Sequence, residues 1–195
     1  MPRVSEDHLT ARREQILAAA RTCFLRNGLH NTSMQDLIRE AGLSVGAVYR
    51  YFKSKNDIIS AISETVAGGL AAQLDEIAAD PDLSLTAALD RVMDVIDEQV
   101  RPDGNFPLAL QVWSEATLDP AIGEIVRERY VGMRAPFVTI AERAIARGEL
   151  RAGGDAQAVS AVLFGMIPGY ALQRQLVGFP DRTTYLAGLR ALLDG

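Results

Sequence analysis

Between Tyr49 and Lys55 the chain places two tyrosine hydroxyls, one guanidinium and two ammonium groups within a run of seven residues, Tyr-Arg-Tyr-Phe-Lys-Ser-Lys. Those groups suit a nucleic-acid duplex. A guanidinium such as that of Arg50 can grip guanine through two hydrogen bonds, and tyrosine hydroxyls can reach base edges or phosphates. Lys53 and Lys55 stand where a cation and the free N–H groups of a helix start can together hold a phosphate. Val45, Gly46 and Ala47, just before them, are small enough for the backbone to come close to the bases. Thr32, Ser33 and Gln35 could hold phosphate from the head of the preceding helix. Phe52 is expected in the core, and Tyr49 can be read either as a groove contact or as a core aromatic.

The elements that position these groups are helical. From Thr10 onward, Ile16, Leu17, Ala20 and Phe24 fall on one face while Arg12, Arg13, Glu14 and Arg21 fall elsewhere, and Gly28 supplies a stop. A second helix opens at Thr32, with Gln35 three residues on as a reciprocal capping partner, presents Leu37, Ile38 and Ala41, and ends at Gly42. Ser44 caps a short third helix from Val45 to Tyr51. Ser54, with Asp57 beside it, caps a fourth that runs from about Lys55 to Ala79. Gly68-Gly69 inside that helix cost roughly 1 kcal/mol each relative to alanine, and are expected to mark a close helix crossing rather than a hinge. Beyond Asp80-Pro81, helices are expected near 84–101, 105–117, 120–148, 155–178 and 182–193. The breaks between them fall at Pro102-Asp103-Gly104, Asp119-Pro120, Gly148, Gly153-Gly154 and Phe179-Pro180, and Pro168-Gly169 should bend the helix that holds them. No alternating β-branched run of useful length interrupts the pattern, so the fold class is all-α.

The 195 residues carry a net charge of −5, distributed unevenly. Residues 1–55 hold nine Lys/Arg against five Asp/Glu, and residues 56–195 hold eleven against twenty. A basic head on an acidic body fits a polyanionic partner for the head alone. With 48% hydrophobic residues the chain can bury a real core. The single cysteine, Cys23, excludes an intramolecular disulfide, and no segment has the pattern of a signal peptide, which fits a cytoplasmic protein. The apolar stretch near 156–172 is interrupted by Gln157, Gly165, Pro168 and Gly169 and falls short of the roughly 20 residues of a membrane span, so no membrane partner is expected.

The order of these residues resembles a known family. Arg12 to Gly28, Thr32-Ser33-Met34 with Leu37-Ile38, Ala41-Gly42-Leu43-Ser44, then Gly46, Tyr49, Tyr51-Phe52 and Lys55, look like the N-terminal DNA-binding domain of TetR/AcrR-type transcriptional regulators. The resemblance is close over residues 10–60. It implies a three-helix helix-turn-helix domain, a linking fourth helix and a larger helical domain that dimerises and takes a small-molecule effector. It also implies DNA contacts at Thr32, Ser33, Gln35, Ser44, Val45, Gly46, Ala47, Tyr49, Arg50, Tyr51 and Lys55, with Val45 and Ala47 the weaker carry-overs.

The C-terminal half offers a lining for a largely apolar effector site: Met93, Phe106, Leu110, Gln111, Trp113, Met133, Phe137, Met166 and Tyr170. Methionine and aromatic side chains suit an adaptable cavity, hence a hydrophobic or amphipathic ligand. The last two helices carry Val159, Val162, Leu163, Met166, Ile167, Leu172, Leu176, Leu186, Leu189 and Leu192, more apolar surface than two terminal helices usually need. A homodimer paired through those helices would bury them and would set two recognition helices on successive turns of a palindromic operator.

Catalysis has little to work with. His8 and His30 both lie in the head, as does Cys23, so the larger domain lacks a histidine or thiol for a metal site, a base or a nucleophile. No phosphate-binding glycine loop is present, and neither cofactor nor metal is implied. The sequence therefore reads as a loose arm over 1–9, a helix-turn-helix domain over 10–55 and a ligand-binding and dimerisation domain over 56–195. Its expected function is that of a ligand-responsive repressor released from DNA by its effector. A DNA-binding regulator without a ligand, and an all-α enzyme, are the alternatives.

Overall fold

A computed structural model of the chain describes residues 6–150 and 153–193. Among them every regular element is helical: α1 (Glu6–Asn27), α2 (Met34–Ala41), α3 (Val45–Tyr51), α4 (Lys55–Ala79), α5 (Leu85–Gln99), α6 (Phe106–Ala116), α7 (Pro120–Ala146), α8 (Ala156–Val177) and α9 (Arg182–Leu193). No helix among the described residues is long and apolar enough to cross a membrane.

Two expectations about these helices are corrected. Residues 6–9, placed in a loose arm, form the start of α1. Residues 1–5 of that arm lie outside the described residues. The capping box of α2 sits one residue later than expected. Ser33, in extended conformation, is the N-cap and Asp36 its partner, so Thr32 precedes the helix.

By their contacts the described residues fall into two compact units, which a single cut at residue 55 does not reproduce. The first takes in the chain up to Val66 together with Leu108–Arg127, and the second takes in Ala67–Pro107 with Glu128 onward. Burial gives the reason: Leu108 and Val112 of α6 and Ile122 of α7 share one apolar core with Ile16, Phe24, Leu29, Leu37, Val48, Ile58, Ile59 and Ile62. That core fixes α1 to α3 around a common centre.

In the second unit α5 buries Leu85, Leu89, Val92, Met93 and Ile96, at the three-and-four spacing of one helix face. Phe137, Ile140 and Ala144 of α7, Leu163, Ile167 and Tyr170 of α8, and Leu186 and Leu189 of α9 are buried as well. Ring contacts join Phe164 to Tyr130 and Phe137, and Tyr170 to Tyr185. The other side of α5 is acidic: Asp90 and Asp94 pair with Arg182, and Asp97 accepts a 2.7 Å hydrogen bond from the Tyr170 hydroxyl. Burial, aided by that acceptor, pushes the Tyr170 hydroxyl far above its usual range.

The α4–α5 loop is held by the end of α7 and the turn that follows it. Arg143 donates to the carbonyl of Ala78 at 2.7 Å, Arg147 donates to the carbonyls of Leu83 and Pro81, and Glu149 accepts from the Leu85 amide. The glycine pair of α4 does not mark a close crossing, because a Cβ built on Gly68 or Gly69 meets no atom within 4 Å.

Candidate nucleic-acid interface

The interface is built by three helix starts in sequence. At the first, Asp36 accepts from both the amide and the hydroxyl of Ser33, at 2.9 and 2.6 Å, while its own amide donates to the Ser33 oxygen at 3.2 Å. The Ser33 hydroxyl and amide bonds hold the Asp36 carboxyl below its ordinary value. Gly42 then turns the chain between α2 and α3 with φ +63°, a conformation that costs other L-residues roughly 1–2 kcal/mol, and returns its N–H to the end of α2. Gln15 of α1 donates to the Ala41 carbonyl at 2.7 Å and so ties the same corner. Ser44 caps α3 through the Ala47 amide at 3.3 Å. At the third start, Asp57 accepts from the Lys53 amide and the Ser54 hydroxyl, both at 2.8 Å, and the Ser54 hydroxyl bond is the main cause that lowers its pKa.

With both ends fixed, α3 divides its faces. Val48 is fully buried and Phe52, the C-cap, is nearly so, with the Arg13 guanidinium 5.6 Å above its ring. Phe52 is thus a core aromatic, as its sequence position suggested. Ser44, Val45, Gly46, Tyr49 and Arg50 are exposed, and so are Ser33 and Gln35 at the start of α2. Seven of the eleven expected DNA-contact residues therefore lie open on the first turn of α2 and the outer face of α3.

Four are placed differently. Thr32 is only 2% exposed, and its hydroxyl donates to the Gly28 carbonyl at 2.7 Å, so it closes the α1–α2 turn instead of facing outward. Ala47 and Tyr51 are half-buried, and Tyr51 packs against the core. Lys55 donates to the Leu29 carbonyl at 2.9 Å, which directs its ammonium into the head while leaving two of its three protons for other acceptors. Lys53, exposed, bonds the Tyr49 carbonyl at 2.6 Å and caps the end of α3.

The nine residues expected around an effector divide between the two units. Leu110, Gln111 and Trp113 belong to the first unit; Met93, Phe106, Met133, Phe137, Met166 and Tyr170 belong to the second. The side-chain oxygen of Gln111 accepts from the amide of buried Leu29 at 2.8 Å, a structural task. Phe24, Leu29, Ile59, Ile62, Leu108 and Val112 are all buried in the core of the first unit and leave between them no room for a water molecule. Asn56 and Asp119, bonded at 3.2 Å, also tie α4 to the start of α7; a polar pair separated by 63 residues leaves no local signal in the sequence.

Three capped helix starts around one core, with an exposed third helix after a glycine turn, make a helix-turn-helix. Two family models match the chain: that of bacterial regulatory proteins, tetR family, over residues 16–62, and that of the tetracyclin repressor-like C-terminal domain over residues 81–176. The chain belongs to the TetR family of transcriptional regulators. This TetR-family chain is 43% identical over 63 residues to the HTH-type transcriptional repressor Rv1474c of Mycobacterium tuberculosis, a match covering 32% of the chain and 34% of that protein. It resembles the solved structure of Salmonella enterica GusR along the whole of both chains, with 26% identity and a TM-score of 0.76. A structure described as a SmeT–triclosan complex shares the fold, with 22% identity, a TM-score of 0.74 and coverage of 86% of this chain and 82% of that one. DNA-binding transcriptional regulation is what this family does, and the relatives are regulators, not enzymes. Among the described residues no cluster of histidine, cysteine and carboxylate groups could hold a metal ion.

Proposed function

We propose that this TetR-family regulator is a cytoplasmic homodimeric repressor that binds a palindromic operator through α3 and leaves it when a hydrophobic or amphipathic effector occupies the larger domain. The observation that carries the reading is the outer face of α3: Val45, Gly46, Tyr49 and Arg50 stand exposed on a helix whose inner face and both ends are fixed. Ser33, Gln35 and the remaining protons of Lys53 and Lys55 supply phosphate contacts around it. The excess of basic residues over the first 55 positions adds the electrostatic attraction.

Dimerisation is supported by the apolar residues that α8 and α9 leave uncovered, Val162, Leu172, Leu176 and Leu192, with Phe179 between the helices. The effector site is assigned to Met93, Phe106, Met133, Phe137, Met166 and Tyr170 of the second unit, and the triclosan bound by SmeT is a ligand of the chemical kind such a lining would suit. An effector acts only through its differential affinity for two states, and moving the balance from 1:99 to 99:1 takes about 5.5 kcal/mol. No catalytic role is proposed.

A gel-shift titration of the full chain against duplex from its own upstream region tests the DNA reading. Saturable binding that weakens steeply with salt, and that Tyr49→Ala weakens without altering the melting temperature, supports it. Equal affinity for that duplex and for random DNA, unaffected by Tyr49→Ala, contradicts it.

A further inference from the structure

Within residues 6–66 the exposed large hydrophobic side chains are those of Val45, 60% exposed, and Tyr49, 38% exposed. Both lie on α3, one helical turn apart, and together they form an exposed apolar stripe beside Val48, which is fully buried. The core does not require that valine, because Val48 and Phe52 already supply the inner contacts of the helix. Helix propensity does not require it either, since alanine is the better helix former at an exposed position. Gly46, beside the stripe, has no atom within 4 Å of a built Cβ, so the backbone there is open to a surface that approaches α3.

In the major groove the four bases differ in what they offer to such a stripe. Guanine, adenine and cytosine present hydrogen-bond donors and acceptors, and thymine alone adds an apolar group, its 5-methyl. Pressing valine onto a donor or acceptor would strip it of water without replacement and cost free energy, whereas pressing it onto the methyl buries apolar surface on both sides. We propose that α3 reads a thymine in each operator half-site through its 5-methyl group, packed between Val45 and the ring of Tyr49. Arg50, on the adjacent row, is left to read a guanine. The inference rests on the assignment of α3 as the DNA-reading helix and adds the base that the apolar part of its face selects.

The test uses duplex selected from a random library by the full-length protein, with each thymine of the half-site replaced in turn by deoxyuridine, which removes the methyl and keeps every hydrogen bond. For the natural protein, one position per half-site should lose affinity by about fourfold, the worth of one buried methyl-sized group. Val45→Ala should lose that dependence, and Val45→Thr, which keeps the branched methyl, should retain it. Circular dichroism establishes that both variants fold. A selected half-site without thymine, indifference to deoxyuridine at every position, or a dependence unchanged in Val45→Ala would overturn the inference while leaving DNA binding intact. A library that yields no preferred duplex would instead remove the DNA reading on which it rests.

Discussion

Thr32 and Arg50 both carry polar groups suited to a phosphate or a base, yet the fold gives them opposite tasks. The Thr32 hydroxyl is spent on the Gly28 carbonyl inside the head, whereas Arg50 stands exposed on α3. Arg50→Ala should cost about 1–3 kcal/mol in operator affinity and relax specificity at one base pair, with an unchanged melting temperature. Thr32→Val should do the reverse, lowering stability by about 1 kcal/mol through the lost buried hydrogen bond while bound DNA still shows the same base preference. Parallel gel-shift and thermal-melting series on the two variants separate these outcomes. The sequence distinguishes the two residues poorly, since a threonine ahead of a helix can either cap it or turn inward. Thr32 and Ser33 each have a polar residue three positions on, Gln35 and Asp36, and only the backbone course decides which pair closes the box. Gln111 was illegible for a related reason: its partner, the Leu29 amide, lies 82 residues away.

At the scale of elements, the helices follow from apolar spacing and punctuation. α3 and α4 begin and end where Ser44, Tyr51, Lys55 and the Asp80-Pro81 break place them, because caps and breakers act locally and local signals survive in a sequence. Burial at a crossing is not local, and Gly68-Gly69 were accordingly misjudged. Since an added Cβ at either glycine meets open space within a helix, Gly68→Ala and Gly69→Ala should each stabilise the protein by about 0.5–1 kcal/mol. Gly42, also without neighbours around its Cβ but at φ +63°, should respond with the opposite sign: Gly42→Ala is expected to destabilise by about 1–2 kcal/mol, and Gly42→Asn by less. Chemical denaturation of the three alanine variants checks both signs. The cap at the start of α4 also predicts a pH dependence. The Asp57 carboxylate, held by the Ser54 hydroxyl and the Lys53 amide, has a folded pKa below its ordinary 3.8. Its contribution is therefore fully present above that value and is lost as pH falls from there through the lower folded pKa. Asp57→Asn should flatten this part of the acid limb in a stability-versus-pH series, leaving neighbouring limbs in place.

For the whole molecule, the uneven charge and the exposed apolar residues point in one direction. Nine basic against five acidic residues up to Lys55 attract a phosphate backbone, and the acidic remainder limits that attraction to the head. That asymmetry is a matter of counting and was legible at once. The division into two units was not, because Leu108, Val112 and Ile122 join the head's core from the middle of the chain, and their spacing along α6 and α7 is that of any buried helix face. This is why residues expected around a single effector site separate into two sets. Phe137→Ala, within the second set, should change the effector-induced release of DNA with little change in the affinity of the free protein, as read by gel shift with and without ligand.

The most direct test of the account is a footprint of the full-length protein on its own upstream region. Two protected half-sites related by twofold symmetry, with centres about 34–36 Å apart or a multiple of that, are predicted, since paired recognition helices must enter successive major grooves. Protection that is absent at low salt, or confined to one unsymmetrical half-site, would contradict a dimeric regulator that reads DNA through α3.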